Sequence, residues 1–484
     1  MLRGIHMNDL DLLLLLGPLV LILAIACEVA WRNRYVPQWL ARKVLHITAV
    51  GSCALVPLWL EDLALLRWIV IGSEFILIWL VVSGRLFDQD GSKSWGILLF
   101  PLPYLFLLYV EPDRWLIALP MAILAFADSF AAVAGLFFSH RFFRFTADPK
   151  SMIGSAAFFL VSIPVMVLFP EIRSILAVVP LWASIAIVGV IALLLTGIEA
   201  LASRGTDNLF IPLAAWLLVK EITATSLHTS FITSLVITCA LAISFTLVCM
   251  RMRLLTLGGA IAASLIGVWV MYFAGAFWLI PLFVFLLGST LFGRLNRQVA
   301  TTDRKHGKPR DAIQVICNGG VFAAAASIPD PQLAQLAMGA SIAVSAADTW
   351  ASEIGIAFRG RTIDISSGRE VPSGLSGGVS LAGSAGAFFA SLLFALLAVV
   401  LMDRNGLQMV PFMIAGMGGM LLDSLLGSKL QPRFQANDGS LSDERRSGSK
   451  KISGFNWMDN DAVNIISNII VTAGVALLFD RALH

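Results

Sequence analysis

The chain has 484 residues, of which 58% are hydrophobic and 13% are charged, and its formal net charge is +3 at pH 7. Soluble domains contain about 25% charged residues, so this composition excludes an ordinary soluble globular protein. Apolar runs long enough to span a bilayer, roughly 20 residues each, recur from one end of the chain to the other.

These apolar runs predict an all-α polytopic integral membrane protein, because lipid requires internal backbone hydrogen bonding and no barrel-like alternation is visible. We expect roughly 13–16 transmembrane helices, some short or broken, in two bundles whose shared motif indicates a common origin. In chain order, the runs begin near Leu10, Leu63, Trp95, Leu116, Ile153, Val178, Phe231, Leu254, Phe277, Leu333, Gly377, Met409 and Ala462.

The first run follows Arg3 and has no small-residue cleavage site with a polar sequel, so we expect an uncleaved first helix. The five cysteines lie in apolar runs without metal or redox spacing, and we interpret them as packing residues.

Basic residues are concentrated in a subset of the connections between apolar runs, whereas the other connections are short and acidic or mixed. The positive-inside rule places the basic connections in the cytoplasm. Every candidate motif borders one of them, so we expect the motif loops to face the cytoplasm of a prokaryotic cell. The basic clusters are Arg32–Lys43, Arg141–Lys150, Arg294–Arg310, Arg359–Arg369 and Lys429–Lys451.

Two stretches share one pattern: AFADSFAAVAG (125–135) and SAADTWASEIG (345–355) both read D-S/T-x-A-x-x-x-G from their aspartate. A third stretch, GMLLDSLLGSKLQ (419–431), repeats D-S-L-L-G. A carboxylate inside a span costs about 2.5–3.5 kcal/mol on insertion scales and usually faces water or a partner. The pattern therefore favours two related units over chance resemblance between small-residue helices.

Polar residues of the first half combine carboxylates, cations and an amide. They lie in ARKVLHITAVG (41–51), around Asp128, in DPKSMIGS (148–155) and in GIEALASRGTDNLFIPL (197–213). Such oxygen-rich sets with a nearby lysine are typical of Mg²⁺ and phosphate binding. No Walker A loop or protein-kinase signature is present, so phosphoryl transfer would use another architecture.

The second half has a similar mixture, on segments that we expect at one side of the membrane. HGKPRDAIQVICNGG (306–320) is basic, and REVPSGLSGGVSLAGSAGA (369–387) is a Gly/Ser-rich loop entering a helix, where backbone amides suit phosphate oxygens. LLDSLLGSKLQPRF (421–434) and NWMDNDAVNIISN (456–468) add carboxylates, a lysine and amides. The set predicts a phosphate-bearing substrate and a lipid co-substrate.

These motifs resemble two known families. Residues 30–225, through RKVLHI, FADSFAAVAG, KSMIGS and LFIPL, resemble the dolichol/phytol kinases, which are related to phosphatidate cytidylyltransferases. Residues 250–484 resemble the phytyl-phosphate kinase-like DUF92 membrane proteins. The segments that carry this second resemblance are LLTLGGAIAASLIG, GKPRDAIQVICNGG, ADTWASEIG, PSGLSGGVSLAG, LDSLLGSKLQ and DNDAVN.

The resemblance implies a fusion of a prenol kinase-like domain (1–228) with a prenyl-phosphate kinase-like domain (229–484). Such a protein would phosphorylate a prenyl alcohol of the phytol, geranylgeraniol or farnesol class to the monophosphate and then to the diphosphate. Its co-substrate would be a nucleoside triphosphate, CTP by resemblance, with Mg²⁺ as cofactor. Its partners would be the prenyl lipids and the bilayer, with no nucleic acid or protein partner implied.

By the same resemblance and chemistry, each candidate residue receives a role. The predicted catalytic residues are Asp128, His46, Asp348 and Glu353. The predicted ligands of substrate and nucleotide phosphates are Arg42, Lys43, Lys150, Asn208, Arg310, Asn318, Gly377, Gly378, Lys429 and Gln431. The predicted metal ligands are Asp128, Glu199, Asp207, Asp348, Asp423, Asp459 and Asp461.

Two alternatives stay open at the level of sequence. A cytidylyltransferase forming a CDP-lipid would release pyrophosphate rather than a nucleoside diphosphate. A secondary transporter built from two related units with intramembrane carboxylates would place its polar residues near the middle of the membrane. In this chain most of them border basic loops, which favours the kinase.

Overall fold

The computed structural model describes residues 8–83, 95–139, 142–146, 148–224, 229–296, 309–358, 360–402, 409–436, 440–443, 445 and 448–483. It contains two compact units, Met1–Leu241 (unit 1) and Ala242–His484 (unit 2). The junction of the two units lies within a helix that begins at Thr229, and the predicted domain boundary between residues 228 and 229 stays a prediction.

Unit 1 is built almost entirely from helices. One of them changes to a π-helix at Leu124–Asp128 and continues as the next α-helix. The helices are α1 (Asp9–Arg32), α2 (Gln38–Trp59), α3 (Ala64–Val82), α4 (Trp95–Leu99), α5 (Pro101–Val110), α6 (Arg114–Ile123), α7 (Ser129–Phe138), α8 (Met152–Leu168), α9 (Pro170–Val178), α10 (Leu181–Leu201), α11 (Asp207–Ala224) and the first part of α12 (Thr229–Arg251).

Unit 2 is also helical, with short strands in its connections. A 3₁₀ turn at Ala276–Trp278 precedes one of the helices. The helices are the remainder of α12, α13 (Leu257–Phe273), α14 (Leu279–Asn296), α15 (Ala312–Ala326), α16 (Pro331–Phe358), α17 (Leu381–Leu401), α18 (Val410–Leu430) and α19 (Asn460–Leu483).

The strands form three small antiparallel sheets. In unit 1, β1 (Phe142–Phe143) pairs with β2 (Lys150–Ser151). In unit 2, β3 (Thr362–Asp364) pairs with β4 (Gly378–Ser380). The third sheet, also in unit 2, has the order β6-β5-β7, from β5 (Arg433–Gln435), β6 (Leu441–Ser442) and β7 (Lys450–Ser453).

The protein is an integral membrane protein with fewer long spans than the sequence predicts. Among the described residues, nine helices are long and apolar enough to cross a membrane, or ten if the bent pair α8 and α9 is one span. The predicted number of 13–16 is higher because several apolar runs form shorter helices. Four such helices have 10–17 residues, and the 84° bend between α8 and α9 divides another run.

Each unit has a central helix that carries its motif aspartate. In unit 1, Leu116–Ile123 are all buried, and the span continues to Asp128 and Phe138. In unit 2, α16 is buried from Leu336 through Ala347 before it reaches Asp348. Alanine, glycine and serine dominate the buried part of α16, which lets neighbouring helices approach closely.

Both units contain the same helix–hairpin–helix module. In each, a strand begins 14 residues after the motif aspartate, at Phe142 after Asp128 and at Thr362 after Asp348. The first residue of that strand pairs with a serine that ends the hairpin, as Phe142 with Ser151 and Thr362 with Ser380. That serine is the N-cap of the following helix.

In unit 1, the glycine of the shared pattern packs against the capping serine. A Cβ on Gly135 would lie 2.7 Å from Ser151 Oγ, and one on Gly154 would lie 2.9 Å from the carbonyl oxygen of Ala131. Ser151 Oγ in turn accepts a hydrogen bond from the Gly154 amide at 3.0 Å. The close approach of α7 and α8 therefore requires small residues at both positions.

Unit 2 reproduces this contact. A Cβ on Gly355 would lie 3.0 Å from Ser380 Oγ, and one on Gly383 would lie 2.9 Å from the carbonyl oxygen of Ala351. Ser380 Oγ accepts from the Gly383 amide at 3.1 Å. The sequence pattern D-x-x-A-x-x-x-G thus marks a repeated structural module, in which its alanine and glycine both contact the capped helix.

The two modules differ in one respect that matters for the site. The hairpin loop between β1 and β2 comprises residues 144–149, whereas the loop between β3 and β4 comprises residues 365–377. We call residues 365–377 the long hairpin loop.

Candidate functional site

Asp128, at the end of the π-helix, is the centre of a charged cluster in unit 1. Lys43 Nζ donates to Asp128 Oδ2 at 2.8 Å, and His46 Nε2 lies 3.7 Å from the same oxygen. His46 Nε2 also lies 3.4 Å from the carbonyl oxygen of Leu124. A π-turn is a rare distortion that often occurs at functional sites, and here it contains both the carboxylate and this carbonyl.

Lys150 links the hairpin of unit 1 to two further carboxylates. Its Nζ lies 2.6 Å from Glu199 Oε1 and 3.8 Å from Asp207 Oδ2. Burial lowers the pKa of Lys150, but Glu199 and Asp207 outweigh burial, and the net shift of this pKa is upward. Ser155 Oγ donates to Glu199 Oε2 at 3.3 Å. Lys150 is therefore a cation held in place by anions.

The carboxylates predicted to bind a metal ion in unit 1 lie beside lysines. Lys43 pairs with Asp128, and Lys150 pairs with Glu199 and approaches Asp207. No group of three or more metal-ligating side chains occurs within the described part of the chain. A cation at these carboxylates would have to displace a lysine, so their metal role stays a prediction.

Two other predicted residues of unit 1 lie beside the cluster rather than in it. Arg42 is exposed, and Lys43, three residues before His46, shares its face instead. Residues three apart share a helix face, as residues four apart do. Asn208 Nδ2 donates to the carbonyl oxygen of Gly96 at 2.9 Å and so joins α11 to α4.

In unit 2, nearly all of the predicted site residues line one cavity. Its volume is about 420 Å³, and its walls include parts of α14, α15, α16 and α18, the first turns of α17 and α19, and the long hairpin loop. The predicted residues that line it are Arg310, Asn318, Asp348, Glu353, Gly377, Gly378, Asp423, Gln431, Asp459 and Asp461.

A pair of carboxyl groups occupies one wall of this cavity. Asp348 on α16 and Asp423 on α18 both line this wall, and their carboxyl groups are close enough for their charges to interact. Ser467 Oγ donates to Asp423 Oδ2 at 3.1 Å, and the Asn464 amide, in its hydrogen-bonded orientation, donates to the same oxygen at 3.0 Å. Two carboxyl groups this close repel each other unless a cation or a proton lies between them.

Arginines contribute the opposite charge. Arg310 Nη2 lies 3.9 Å from Glu353 Oε1, and its guanidinium lies over the Phe285 ring at 5.6 Å from the centroid. Arg253 and Arg294 line the same cavity. Asp348 and Glu353 lie five residues apart on α16 and have different neighbours, Asp423 and Arg310 respectively.

The motif LLTLGG positions Arg310. Thr256 N donates to the Arg310 carbonyl oxygen at 3.0 Å, and a Cβ on Gly259 would lie only 2.4 Å from that oxygen. Thr256 also caps α13, because its Oγ1 accepts from the Gly259 amide at 3.1 Å. The glycine is required because the backbone at residues 310–311 lies directly against the first turn of α13.

The long hairpin loop forms the remaining wall. Gly374 and Gly377 have φ angles of +88° and +83°, which side chains other than hydrogen rarely allow. Among the described residues, their amides have no hydrogen-bond partner, and neither does the exposed hydroxyl of Ser373. Ser373, Gly374 and Gly377 all line the cavity.

Asp364 anchors this loop and was not among the predicted site residues. Its fully buried carboxylate accepts from Ser366, Ser367 and Ser428, and pairs with the Arg433 guanidinium. Arg433 also donates to the Ser376 carbonyl oxygen at 2.7 Å. Burial raises the pKa of Asp364, but Arg433 and the serine hydrogen bonds hold it well below its usual range.

Comparison with known proteins places this half of the chain in a family. The family described as "Integral membrane protein DUF92" matches residues 240–472. The "Uncharacterized membrane protein MJ0933" of Methanocaldococcus jannaschii is 30% identical over 215 residues, which cover 42% of this chain and 85% of that protein. The chain belongs to the DUF92 family of integral membrane proteins.

A plant protein is also similar to this DUF92 chain. "Protein PGR" of Arabidopsis thaliana is 27% identical over 254 residues, which cover 46% of the chain and 88% of that protein. No solved structure matches the chain with statistical significance. The family match covers most of unit 2, so the resemblance of unit 1 to prenol kinases stays a prediction.

Lys429 differs from the other residues predicted for the DUF92 cavity. It is exposed and does not line the cavity, whereas its neighbours Gly427 and Ser428 are buried against the long hairpin loop. Because Lys429 lies one position along α18 from Ser428, its side chain leaves the helix in a different direction. The phosphate-binding role of Lys429 therefore stays a prediction that the lining of this cavity does not support.

Buried amides and hydroxyls behind the DUF92 cavity were also missed. Asn468 Nδ2 donates to Ser345 Oγ at 2.8 Å, and Ser345 Oγ donates to the Asn318 carbonyl oxygen at 2.8 Å. These two hydrogen bonds connect α19 to α16 and α16 to α15. The motifs SAADTWASEIG and ICNGG contain two of these residues, but their contact with a residue more than 120 positions away gives no local sequence signal.

Proposed function

We propose that the chain is a bifunctional membrane phosphotransferase. Unit 1 would transfer a phosphoryl group from a nucleoside triphosphate to a prenyl alcohol, and unit 2 would transfer a second one to the resulting monophosphate. The observation that carries this proposal is the unit 2 cavity, where a carboxylate pair, arginines and a glycine-rich loop converge in an integral membrane protein.

The chemistry of phosphoryl transfer accounts for this mixture of charges. The bond between the terminal phosphorus and its bridging oxygen breaks, a bond from the acceptor oxygen to that phosphorus forms, and the nucleoside diphosphate leaves. Catalysis of this step consists mainly of positioning and charge neutralisation. Arg253, Arg294 and Arg310 would neutralise phosphate oxygens, and Asn318 and the loop amides would orient them.

Mg²⁺ fits the carboxylates of unit 2. This cation is usually held by one or two carboxylates together with water and substrate phosphates. Asp348 and Asp423 are such a pair, and no lysine or arginine is paired with them among the described residues. They would hold the ion, which supplies charge neutralisation at the phosphates when it is bound. Asp459 and Asp461, at the start of α19, also line the cavity, as does Asn464 on the same helix.

The two acceptors differ in their need for a base. An alcohol must lose its proton when it attacks, and His46, next to Asp128, is the group in unit 1 that would accept it. A phosphate monoester already carries an anionic oxygen and needs no base. In agreement, no histidine lines the cavity within the described part of unit 2.

We place the motif loops at the cytoplasmic membrane surface, because basic residues border them. Both acceptors are amphipathic lipids, so their phosphate or hydroxyl ends would reach the site from the interface while the prenyl chain stays in the bilayer. A monophosphate made by unit 1 would remain at high local concentration for unit 2.

Two substitutions in the full chain test the proposal. Asp348→Asn is expected to reduce transfer to a supplied prenyl monophosphate at least 100-fold, because such preorganised charges contribute about 10²–10³ in rate. Asp128→Asn is expected to reduce transfer to the alcohol similarly while transfer to the monophosphate continues. Purified protein with labelled CTP or ATP, Mg²⁺ and each acceptor separates the two reactions.

Matched controls are present on the same helices. Asp330→Asn and Asp113→Asn alter aspartates that cap the opposite ends of the two central spans, and asparagine is an equally good cap. Both should retain activity. Pyrophosphate release with a CDP-lipid product would identify a cytidylyltransferase instead, and ion-coupled uptake into proteoliposomes without nucleotide turnover would identify a transporter.

A further inference from the structure

The repeated module allows the two sites to be compared position by position. Both modules have the motif aspartate, the strand that begins 14 residues later and the serine that caps the next helix. Features common to both modules serve what the two proposed reactions share, namely the nucleotide and the transfer itself. Features found in only one module serve what differs, which is the acceptor.

Unit 2 differs from unit 1 at its hairpin. The residue before the capping serine is Lys150 in unit 1, where it reaches Glu199, and Val379 in unit 2. In place of this cation, unit 2 has the long hairpin loop, of which residues 373–377 line the cavity. The loop in unit 1, residues 144–149, is less than half as long.

We propose that the long hairpin loop is the subsite for the phosphate group of an already phosphorylated lipid acceptor. This inference rests on the proposed function and adds the part of the site that distinguishes a prenyl monophosphate from a prenyl alcohol. Within the described residues, the amides of Gly374 and Gly377 and the hydroxyl of Ser373 have no hydrogen-bond partner, and these groups are the donors that would receive the phosphate oxygens. Amide and hydroxyl groups bind an anion without requiring a lysine at the hairpin.

The loop is held rigidly enough to act as a preformed subsite. Asp364 and Arg433 fix its base, and Ser376 N donates to Asp443 Oδ2 at 2.7 Å. Gly377 packs so closely on α18 that a Cβ there would lie 2.4 Å from the Cβ of Ser428. A preorganised subsite of this kind loses little conformational freedom when the acceptor binds.

Ser373 provides the sharpest test, because it is exposed and its hydroxyl supports no other contact among the described residues. In the full-length protein, Ser373→Asp places a negative charge where the acceptor phosphate would bind. We expect the KM for farnesyl monophosphate to rise roughly 10- to 100-fold, the range for hydrogen bonds to charged groups, while the KM for the nucleotide changes less than about twofold. Ser373→Ala should raise the acceptor KM less, by about tenfold or below.

The matched control is Ser453→Asp, which adds the same charge to an exposed strand residue that does not line the cavity. It should leave both KM values unchanged, and size-exclusion profiles in detergent should show that all variants remain folded. A rise in the nucleotide KM instead of the acceptor KM would assign the loop to the nucleotide and overturn the inference. Unchanged KM values in Ser373→Asp would overturn it as well. Failure of the proposed function would appear differently, as a wild-type protein that transfers nothing to any prenyl monophosphate.

Discussion

At the scale of single residues, some residues of the site can be identified from local sequence, whereas others become apparent only from the folded structure. Asp348 and Asp128 were predictable because a carboxylate in an apolar helix is costly and because their surroundings repeat. The role of Asp364 was not predictable, because its partner Arg433 lies 69 residues away in the sequence. The two serines that follow Asp364 are a weak signal, typical of an aspartate that accepts hydrogen bonds from the next turn.

The buried pair of Asp364 and Arg433 predicts how stability depends on pH. The folded pKa of Asp364 is depressed, so its contribution is fully present above the unfolded pKa of about 3.9 and is lost as the pH falls through the folded pKa. Asp364→Asn leaves Arg433 buried without its anion and should destabilise unit 2 by about 3–5 kcal/mol at pH 7. Thermal unfolding in detergent between pH 3 and pH 7 measures this.

The difference between wild type and Asp364→Asn should be constant above about pH 5 and shrink below about pH 4. Glu370→Gln is the control in the same hairpin, because its pair with Arg361 is exposed and such pairs contribute about 0–1 kcal/mol. A difference between wild type and Asp364→Asn that grew as the pH fell would contradict the assignment.

At the scale of elements, hydrophobicity predicted helices reliably and their number less well. Long apolar runs became helices, but the short helices α4 and α5, the π-turn and the bend between α8 and α9 interrupt runs that look continuous in sequence. The hairpins were not predicted at all, since β1 and β2 have only two residues each. Each hairpin is formed by strand pairing that ends at the capping serine. A segment of two residues is too short for hydrophobic periodicity to indicate a strand.

One element contact yields a direct prediction. Gly259→Ala forces the Arg310 backbone away from α13, because the new Cβ would lie 2.4 Å from a backbone oxygen that cannot rotate aside. We expect destabilisation by about 1–3 kcal/mol, as is usual for overpacking, and weaker binding of the nucleotide or monophosphate. Thermal unfolding and KM measurements on the same preparation test both effects.

Gly267→Ala on the same helix is the matched control. Its Cβ would have only an ordinary contact, 3.9 Å from Leu279 Cδ2, and alanine is the better helix former by up to about 1 kcal/mol. Equal stability of the two variants would show that the backbone at Arg310 is not held by Gly259.

At the scale of the whole molecule, the chain joins two units that contain the same module, and only the second is covered by the DUF92 match. The shared pattern around Asp128 and Asp348 was visible in sequence. That both aspartates lead to a hairpin and a serine-capped helix was not visible, because the hairpin loops differ in length and composition. A comparison of residue spacing between the two halves fails when one half has extra residues between the matched positions.

Membrane orientation is the prediction that belongs to the whole chain. If basic loops are cytoplasmic, single cysteines introduced at the exposed positions Arg144 and Ser373 in a cysteine-free background should both react with an impermeant maleimide only from the cytoplasmic side. A cysteine at Glu61, in a short acidic connection, should react only from the other side. Labelling of intact cells and of inverted vesicles distinguishes the two cases, and a reversed pattern would refute the orientation.

The long hairpin loop has a consequence for how such a protein can acquire new specificity. Both ends of the loop are fixed by a strand pair and a helix cap, so residues can be added between them without moving either helix. The entropy of loop closure grows slowly, and doubling a loop costs only about 0.6 kcal/mol. A unit of this kind can therefore acquire new acceptors by insertion at this one point, while the helices that hold the carboxylates remain under unchanged selection for stability.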